Sequence, residues 1–181
     1  MLPIKCSQLF SYNNPEEIAV LEIASYNGRQ GIYLVNGSGE LIYKCEDAIV
    51  SEQNQSDLKV YLNSLSAIVV YDASKLKKNN IISAFLKNYQ PMICDVGEQL
   101  AAFIGTWDIH KSGWLIRDLD EVLSFYRCEH DIKEPVERAK AILWLVEQLA
   151  ESSSTELDIK REQKLKDYKK MHRYWLKVEG K

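Results

Sequence analysis

EIAVLEIAS, residues Glu17 to Ser25, is the stretch of sequence on which the interpretation of the fold depends. Its apolar residues form a run typical of a buried β-strand, and one acid, Glu22, interrupts that run. Because burying an unpaired carboxylate is unfavourable, such a residue either carries chemistry or needs a compensating partner. Glu22 is therefore the first candidate site residue.

Two further strand-like runs follow at once. They are GIYLV (Gly31 to Val35) and ELIYKCE (Glu40 to Glu46), and the tight-turn sequence Asn36-Gly37-Ser38-Gly39 joins them. The pattern predicts three antiparallel strands in succession.

A buried parallel strand is indicated by AIVVYD (Ala67 to Asp72), which follows an amphipathic helix predicted within Ser51 to Ser66. Open α/β sheets place ligands at the carboxyl ends of such strands, so Asp72 is a second candidate. Pro91 to Cys94 is predicted as a short strand between helices at 80–88 and 97–105.

The second half of the chain has mainly helical spacing. Helices are predicted over Leu115 to Arg127 and from Pro135 to Ala150, with a loop from Thr106 to Trp114. The predicted fold class is α/β, with a mixed five-stranded sheet, three antiparallel strands and then parallel strands, flanked by helices. The predicted organisation is an N-terminal arm (1–16), one domain (17–152) and a charged C-terminal helix (153–181).

Composition indicates a soluble globular protein, with 46% apolar and 27% charged residues and no apolar run of the ~18 residues that a membrane span needs. The N-terminus lacks the features of a signal peptide, so a cytoplasmic location is expected. The four cysteines and three histidines are scattered, without metal-ligand spacing. We therefore expect reduced thiols, no metal site and no membrane association.

Basic residues are concentrated in the last segment of the chain. Residues 159–181 carry nine Lys or Arg and three acids, a net charge of +6 that leaves −9 for the remainder. Lysines contact phosphates and aromatics stack on bases, so this segment could bind nucleic acid. The candidate nucleic-acid-binding residues are Lys164, Lys169, Lys170, Arg173 and Trp175. A solvated basic helix whose aromatic residues dock on the body of the protein is the alternative.

Several phrases of the sequence, in this order, resemble DnaQ-like (DEDD) 3′-5′ exonucleases, which have the ribonuclease H-like fold. VLEIASYNG (20–28) resembles the family's Asp-x-Glu motif, and VVYDASKL (69–76) resembles its His-Asn-Ala-x-Phe-Asp phrase. Later phrases that resemble it are QPMICDVGEQLA (90–101), IRDLDEVLSFY (116–126) and PVERAKAILWLVEQLA (135–150). The resemblance spans about residues 19–150.

The resemblance implies a site that has lost most of its metal ligands. The family's chemistry uses four carboxylates on two divalent metals, and a His or Tyr that orients the attacking water. The first acid falls on Glu22, but the other three fall on Ala24, Leu76 and Arg138, and the base falls on Lys133. No cofactor is therefore expected, and Mg²⁺ or Mn²⁺ would be needed only if the protein is active.

An alternative retains catalysis through neighbouring acids, namely Glu22, Asp72, Asp95 and Glu137. Side-chain direction opposes this set, because a shift of one residue reverses the face of a strand and rotates a helix position by ~100°. Asp95 also suits the start of a helix.

Three functions follow as hypotheses. The first is a catalytically inactive exonuclease-like domain that binds nucleic acid or protein. The second is an active metal-dependent 3′-5′ exonuclease using the displaced acids, and the third is a homodimeric protein-interaction module. If Glu22 is the one metal ligand retained from a catalytic site that has lost the others, its buried charge should be compensated by Arg138 or Lys75.

Overall fold

A computed structural model describes residues 2–26, 29–46, 52–78, 82–83, 86, 91–104, 106–108, 113–130, 132–151, 163, 166–167 and 170. These residues form a central mixed sheet with helices on both faces, and a separate two-stranded sheet. The α/β class expected from the sequence is confirmed.

The central sheet contains the five predicted strands and one more. The strands are β1 (Leu2–Pro3), β2 (Ile18–Tyr26), β3 (Arg29–Asn36), β4 (Leu41–Cys45), β5 (Ala67–Val70) and β6 (Met92–Asp95), in the spatial order β1-β6-β5-β2-β3-β4. β2, β3 and β4 pair antiparallel, whereas β5 pairs parallel with β2 and with β6. The mixed character of the sheet is as predicted, and β1 adds a short parallel edge.

The helices lie between and after these strands. They are α1 (Cys6–Tyr12), α2 (Glu52–Asn63), α3 (Ala73–Lys78), α4 (Val96–Ile104), α5 (Leu119–Phe125) and α6 (Pro135–Glu151), with a 3-10 turn at Pro15–Glu17. In the described part of the chain, no helix is long and apolar enough to cross a membrane.

Alternation along β2 divides the core into two layers. Ile18 and Val20 lie in the layer that contains α1, α4, α5 and α6, and Ala19 and Leu21 lie in the layer that contains α2 and α3. Successive strand residues face opposite sides of a sheet, so β2 is buried on both faces. This explains why its sequence reads as a nearly continuous apolar run.

The N-terminal arm, residues 1–16, is more structured than its turn-rich sequence indicates. β1 pairs with β6 through Leu2↔Met92 and Pro3↔Ile93. α1 packs against α6, and its Leu9 is fully buried. A two-residue strand and a seven-residue helix are too short to produce a clear periodic signal.

One part of the predicted secondary structure is wrong. Thr106–Asp108 (β7) and Gly113–Leu115 (β8) form an antiparallel pair where a loop was expected, so the second half is not all helical. α5 begins at Leu119 rather than at Leu115, because the Asp118 carboxylate accepts the Asp120 N–H and starts the helix there. Three-residue strands show too little alternation to be distinguished from a loop.

Parts of two other predicted helices lie outside the described residues. In the segment 153–181, positions 163, 166, 167 and 170 are helical and exposed. In the segment 80–88, positions 82, 83 and 86 are helical.

A close contact at Gly97 fixes α4 against the end of β5. The Gly97 N–H donates to the Tyr71 carbonyl at 2.8 Å, and a Cβ at this position would lie 2.1 Å from that oxygen. Only glycine allows the first turn of α4 to approach this backbone.

Gly97→Ala should therefore lower the free energy of unfolding by about 3 kcal/mol, since the added methyl group must separate α4 from β5. Urea denaturation measures this change. Glu98→Ala, at the exposed neighbouring position, is the matched control and should change stability by less than about 1 kcal/mol. Equal stabilities of the two variants would contradict the contact.

Candidate functional site

Glu22 lies at the carboxyl edge of the parallel part of the sheet. β2 pairs with β5 as far as Val20↔Val69, and β5 ends at Val70, so Glu22 lies just beyond this pairing. On its other side it remains paired with Tyr33 of β3. The Glu22 side chain is only 14% exposed. Its position is thus that of a ligand site in an open sheet, with the carboxylate largely removed from water.

Arg138, near the start of α6, is the close partner of this carboxylate. Its Nε lies 3.2 Å from Oε1 of Glu22, and its Nη1 donates to Oδ1 of Asp120 at 2.6 Å. Arg138 is 20% exposed, whereas Asp120 on α5 is 57% exposed. The guanidinium therefore joins β2, α5 and α6. The prediction that a cation compensates Glu22 is confirmed, with Arg138 in that role.

The environment of Glu22 shifts its acidity. Burial raises the pKa of Glu22 from 4.5 to about 6, while Arg138 and then Lys75 oppose the rise. Desolvation therefore exceeds the combined attraction of the two cations. Near neutral pH the carboxyl is mostly ionised, and its ion pair with Arg138 is formed.

Asp72 and Asp95 have structural roles at the same edge. Asp95 accepts the N–H of Ala73 at 2.8 Å and that of Glu98 at 2.9 Å, so one carboxylate begins both α3 and α4. Asp72 accepts the N–H of Ser74 at 2.9 Å. Helix capping uses the carboxylate oxygens that a metal site would require. Asp95 thus acts at the start of a helix, as the alternative interpretation of its sequence predicted.

Glu137 belongs to a different cluster from Glu22. Its carboxylate oxygens lie 3.1 Å from Nδ1 of His130 and 2.7 Å from Nζ of Lys140. Hydrogen bonds from Lys140 and His130 lower the pKa of Glu137. Adjacent positions on a helix point ~100° apart, which explains why Arg138 reaches Glu22 while Glu137 is engaged with other groups.

The positions carried over from the exonuclease motifs do not form a ligand set. Leu76 is 3% exposed and belongs to the same core layer as Leu21, on the other side of the sheet from Val20. Ala24 pairs with Gly31, which the ring of Tyr33 covers closely. Among the residues that the structure describes, no three His, Cys, Asp or Glu side chains are grouped to hold a metal.

The sequence interpretation missed the role of Asp120. Asp118 does cap α5, through the Asp120 N–H, but the Asp120 side chain binds Arg138. The sequence signal was weak, because contact between α5 and α6 depends on the loop that joins them. Tyr71 was also missed; its hydroxyl donates to the Arg117 carbonyl at 2.8 Å and ties the end of β5 to the segment before α5.

Of the candidate nucleic-acid-binding residues, Lys170 is described and lies exposed on a helical segment. Lys164, Lys169, Arg173 and Trp175 lie outside the described residues. In comparisons with known proteins, no protein-family model and no curated protein matches this chain.

Removing Arg138 should expose the dependence of Glu22 on its partner. Arg138→Met should lower the free energy of unfolding by about 3 kcal/mol at pH 7, because Glu22 stays buried without a close cation. Glu22→Gln in the same background should recover most of this loss. Chemical denaturation of both single variants and the double variant forms a double-mutant cycle. Strictly additive effects would contradict the ion pair.

Asp120→Asn is the matched control for that cycle, since it removes the exposed partner of the same arginine. It should change the free energy of unfolding by less than about 1 kcal/mol.

Glu22 should also make the protein less stable as the pH rises, which is opposite to the effect of a carboxylate whose pKa is lowered on folding. Its folded pKa of about 6 exceeds the ordinary 4.5, so between these values the folded state binds more protons than the unfolded state. Wild-type stability should therefore fall by about 2 kcal/mol relative to Glu22→Gln between pH 4.5 and 7. Denaturation curves of both proteins across this range measure the difference.

Glu137→Gln provides a control of opposite sign. The pKa of Glu137 is lowered, so its contribution to stability is present above the ordinary pKa and is lost as the pH falls. This variant should therefore become less stable relative to wild type as the pH rises. The same sign of slope for both variants would refute the assignment of Glu22.

Proposed function

We propose that this chain is a ribonuclease H-like, exonuclease-like domain that has lost catalysis and acts as a binding module, with nucleic acid as its partner. The contact between Arg138 and Glu22 is the main support for the proposed loss of catalysis. In the motif comparison, residue 138 corresponds to the family's last catalytic acid and Glu22 to its first, and here the guanidinium of Arg138 lies beside the Glu22 carboxylate.

The architecture supports this assignment. Three antiparallel strands, a helix, and two strands parallel to the first follow one another in the order that the resemblance requires. Residues 22 and 138 are far apart in the chain, and the motif comparison pairs them as two ligands of one site. Their contact at 3.2 Å is an independent reason to accept that comparison.

The charges at this place oppose two-metal catalysis. A divalent cation close to Glu22 would be repelled by the arginine, by roughly 4 kcal/mol per unit charge at 4 Å and an effective dielectric constant of 20. Ala24 and Leu76 supply no ligand oxygen, and Asp72 and Asp95 already bind backbone N–H groups. Ion pairing and helix capping use the carboxylates that catalysis would need.

We assign nucleic-acid binding to the basic segment 159–181 rather than to the edge of the sheet at Glu22 and Arg138. The groups that act electrostatically on Glu22 and on Tyr71, which follows β5, include four acids and two bases: Asp72, Asp95, Asp118, Asp120, Arg138 and Lys75. This edge of the sheet would therefore repel a phosphate backbone. The segment 159–181, with its net charge of +6 and its interleaved aromatic residues, has the composition that attracts one.

A nuclease assay tests the loss of catalysis. Purified protein in Mg²⁺ or Mn²⁺ should leave the 3′ ends of single-stranded DNA and RNA intact. Degradation that Glu22→Gln abolishes would refute the proposal and establish an exonuclease that uses displaced acids.

Binding to single-stranded oligonucleotides over a range of salt concentrations tests the partner. Lys169→Gln/Lys170→Gln should weaken binding and reduce the slope of log K against log salt by roughly 1.4, at ~0.7 per phosphate contact. Lys59→Gln/Lys78→Gln removes two exposed lysines from the body of the protein and should leave the slope unchanged. Equal salt slopes for the two double variants would show that Lys169 and Lys170 of the basic segment do not contact the nucleic acid. No binding by the wild type would favour a protein partner, including a second copy of the chain.

A further inference from the structure

Two cysteine thiols from distant parts of the chain meet inside the core. Sγ of Cys6, at the start of α1, lies 3.4 Å from Sγ of Cys94 in β6. Both thiols are free, and the residues are 1% and 0% exposed. A disulfide has an S–S distance of about 2.0 Å, so small side-chain rotations would close the remaining gap.

Gln99 holds the chain around Cys6 against β6. Its Oε1 accepts the Cys6 N–H at 2.9 Å, and its Nε2 lies 3.3 Å from the Ile4 carbonyl and 3.5 Å from Sγ of Cys94. One α4 side chain therefore contacts both partners of the sulfur pair and aligns the N-terminal arm with β6.

We propose that Cys6 and Cys94 form a reversible disulfide that fastens the N-terminal arm to β6. The bond would join residues 88 positions apart and so restrict the unfolded chain strongly. Because α1 packs against α6, the bond would also restrain the helix that carries Arg138. The disulfide does not depend on catalysis or on nucleic-acid binding.

The oxidant is a low-molecular-weight disulfide such as oxidised glutathione. One cysteine thiolate attacks a sulfur of this molecule, which forms a mixed disulfide and releases one small thiol. The second cysteine thiolate then attacks the protein sulfur of the mixed disulfide and displaces the second small thiol. The two cysteines lose two protons and two electrons in total, and the small disulfide is reduced to two thiols.

Opening of the N-terminal arm provides the route for this exchange. The hydrogen bond with Cys94, and then burial, raise the pKa of Cys6, so little thiolate forms in the closed core. β1 pairs with β6 over only two residues, and a short edge pairing of this kind opens more readily than the central strands. The exchange therefore takes place when the arm separates from β6.

Equilibration of the full chain in glutathione buffers tests the proposal. Alkylation of free thiols and mass spectrometry of linked peptides measure the oxidation constant of the pair, in buffer and in 6 M guanidinium chloride. By linkage, the oxidation constant of the native protein divided by that of the denatured protein equals the factor by which the disulfide raises the folding equilibrium constant. We expect a factor of roughly 30 or more. A native constant no larger than the denatured one, or linkage between other cysteines, would overturn the proposal.

Variants of single residues complete the test. Cys6→Ala and Cys94→Ala should abolish the cross-link, whereas Cys45→Ala and Cys128→Ala, the matched controls, should retain it. Gln99→Ala should accelerate oxidation several-fold, because it releases the arm from α4 while both cysteines remain in place. An unchanged rate in this variant would refute arm opening as the route. If the Cys6 or Cys94 variant does not fold, the ratio of constants measured in Cys128→Ala decides the question.

Discussion

A carboxylate on the central strand of the sheet must be compensated in a largely apolar interior, and much of the surrounding structure is arranged around this requirement. Arg138 supplies the compensation, and in doing so it connects β2 to α6 and, through Asp120, to α5. The raised pKa of Glu22 shows that the compensation is incomplete, since desolvation still exceeds the attraction of the nearby cations. A buried ion pair of this kind need not increase the stability of the protein, because replacing it with well-packed apolar residues often leaves the free energy of unfolding unchanged or higher. The proposed replacement of a catalytic acid by Arg138 would account for the presence of this pair.

The carboxyl edge of the parallel strands, where α/β proteins commonly bind ligands, is used here for helix capping and backbone contact. Asp95 begins two helices with one side chain, and Asp72 reinforces the first of them. Gly97 lets α4 approach the Tyr71 carbonyl, and the Tyr71 hydroxyl holds the segment before α5. These polar groups are thus satisfied by the protein itself. Asp72 and Asp95 therefore use carboxylate oxygens for backbone contacts at this edge of the sheet.

Much of the fold could be predicted from the sequence, because the relevant signals are local. The antiparallel strands are indicated by the alternation of apolar and polar residues and by the turn sequence at residues 36–39. The buried strands are indicated by continuous apolar runs. α6 has a proline at its start and a regular apolar face. Even the partner of Glu22 was predictable, because an isolated buried charge requires a counterion and a motif comparison placed Arg138 near it. The antiparallel pair of β7 and β8 and the elements of the N-terminal arm were missed, since segments of two to seven residues give almost no periodic signal.

The sequence by itself determined the α/β class and the order of the main strands and helices, and it predicted the burial of Glu22. For Asp95 it left two roles open, and the structure shows the capping role. Only the tertiary structure decided which groups meet across the chain. Asp120 reaches Arg138, Leu76 lies on the opposite face of the sheet from the Glu22–Arg138 pair, and Cys6 lies against Cys94. The physical reason is the range of the interactions. Strand alternation, helix periodicity and capping act over a few neighbouring residues, whereas these contacts depend on how separate elements pack, which no local pattern encodes.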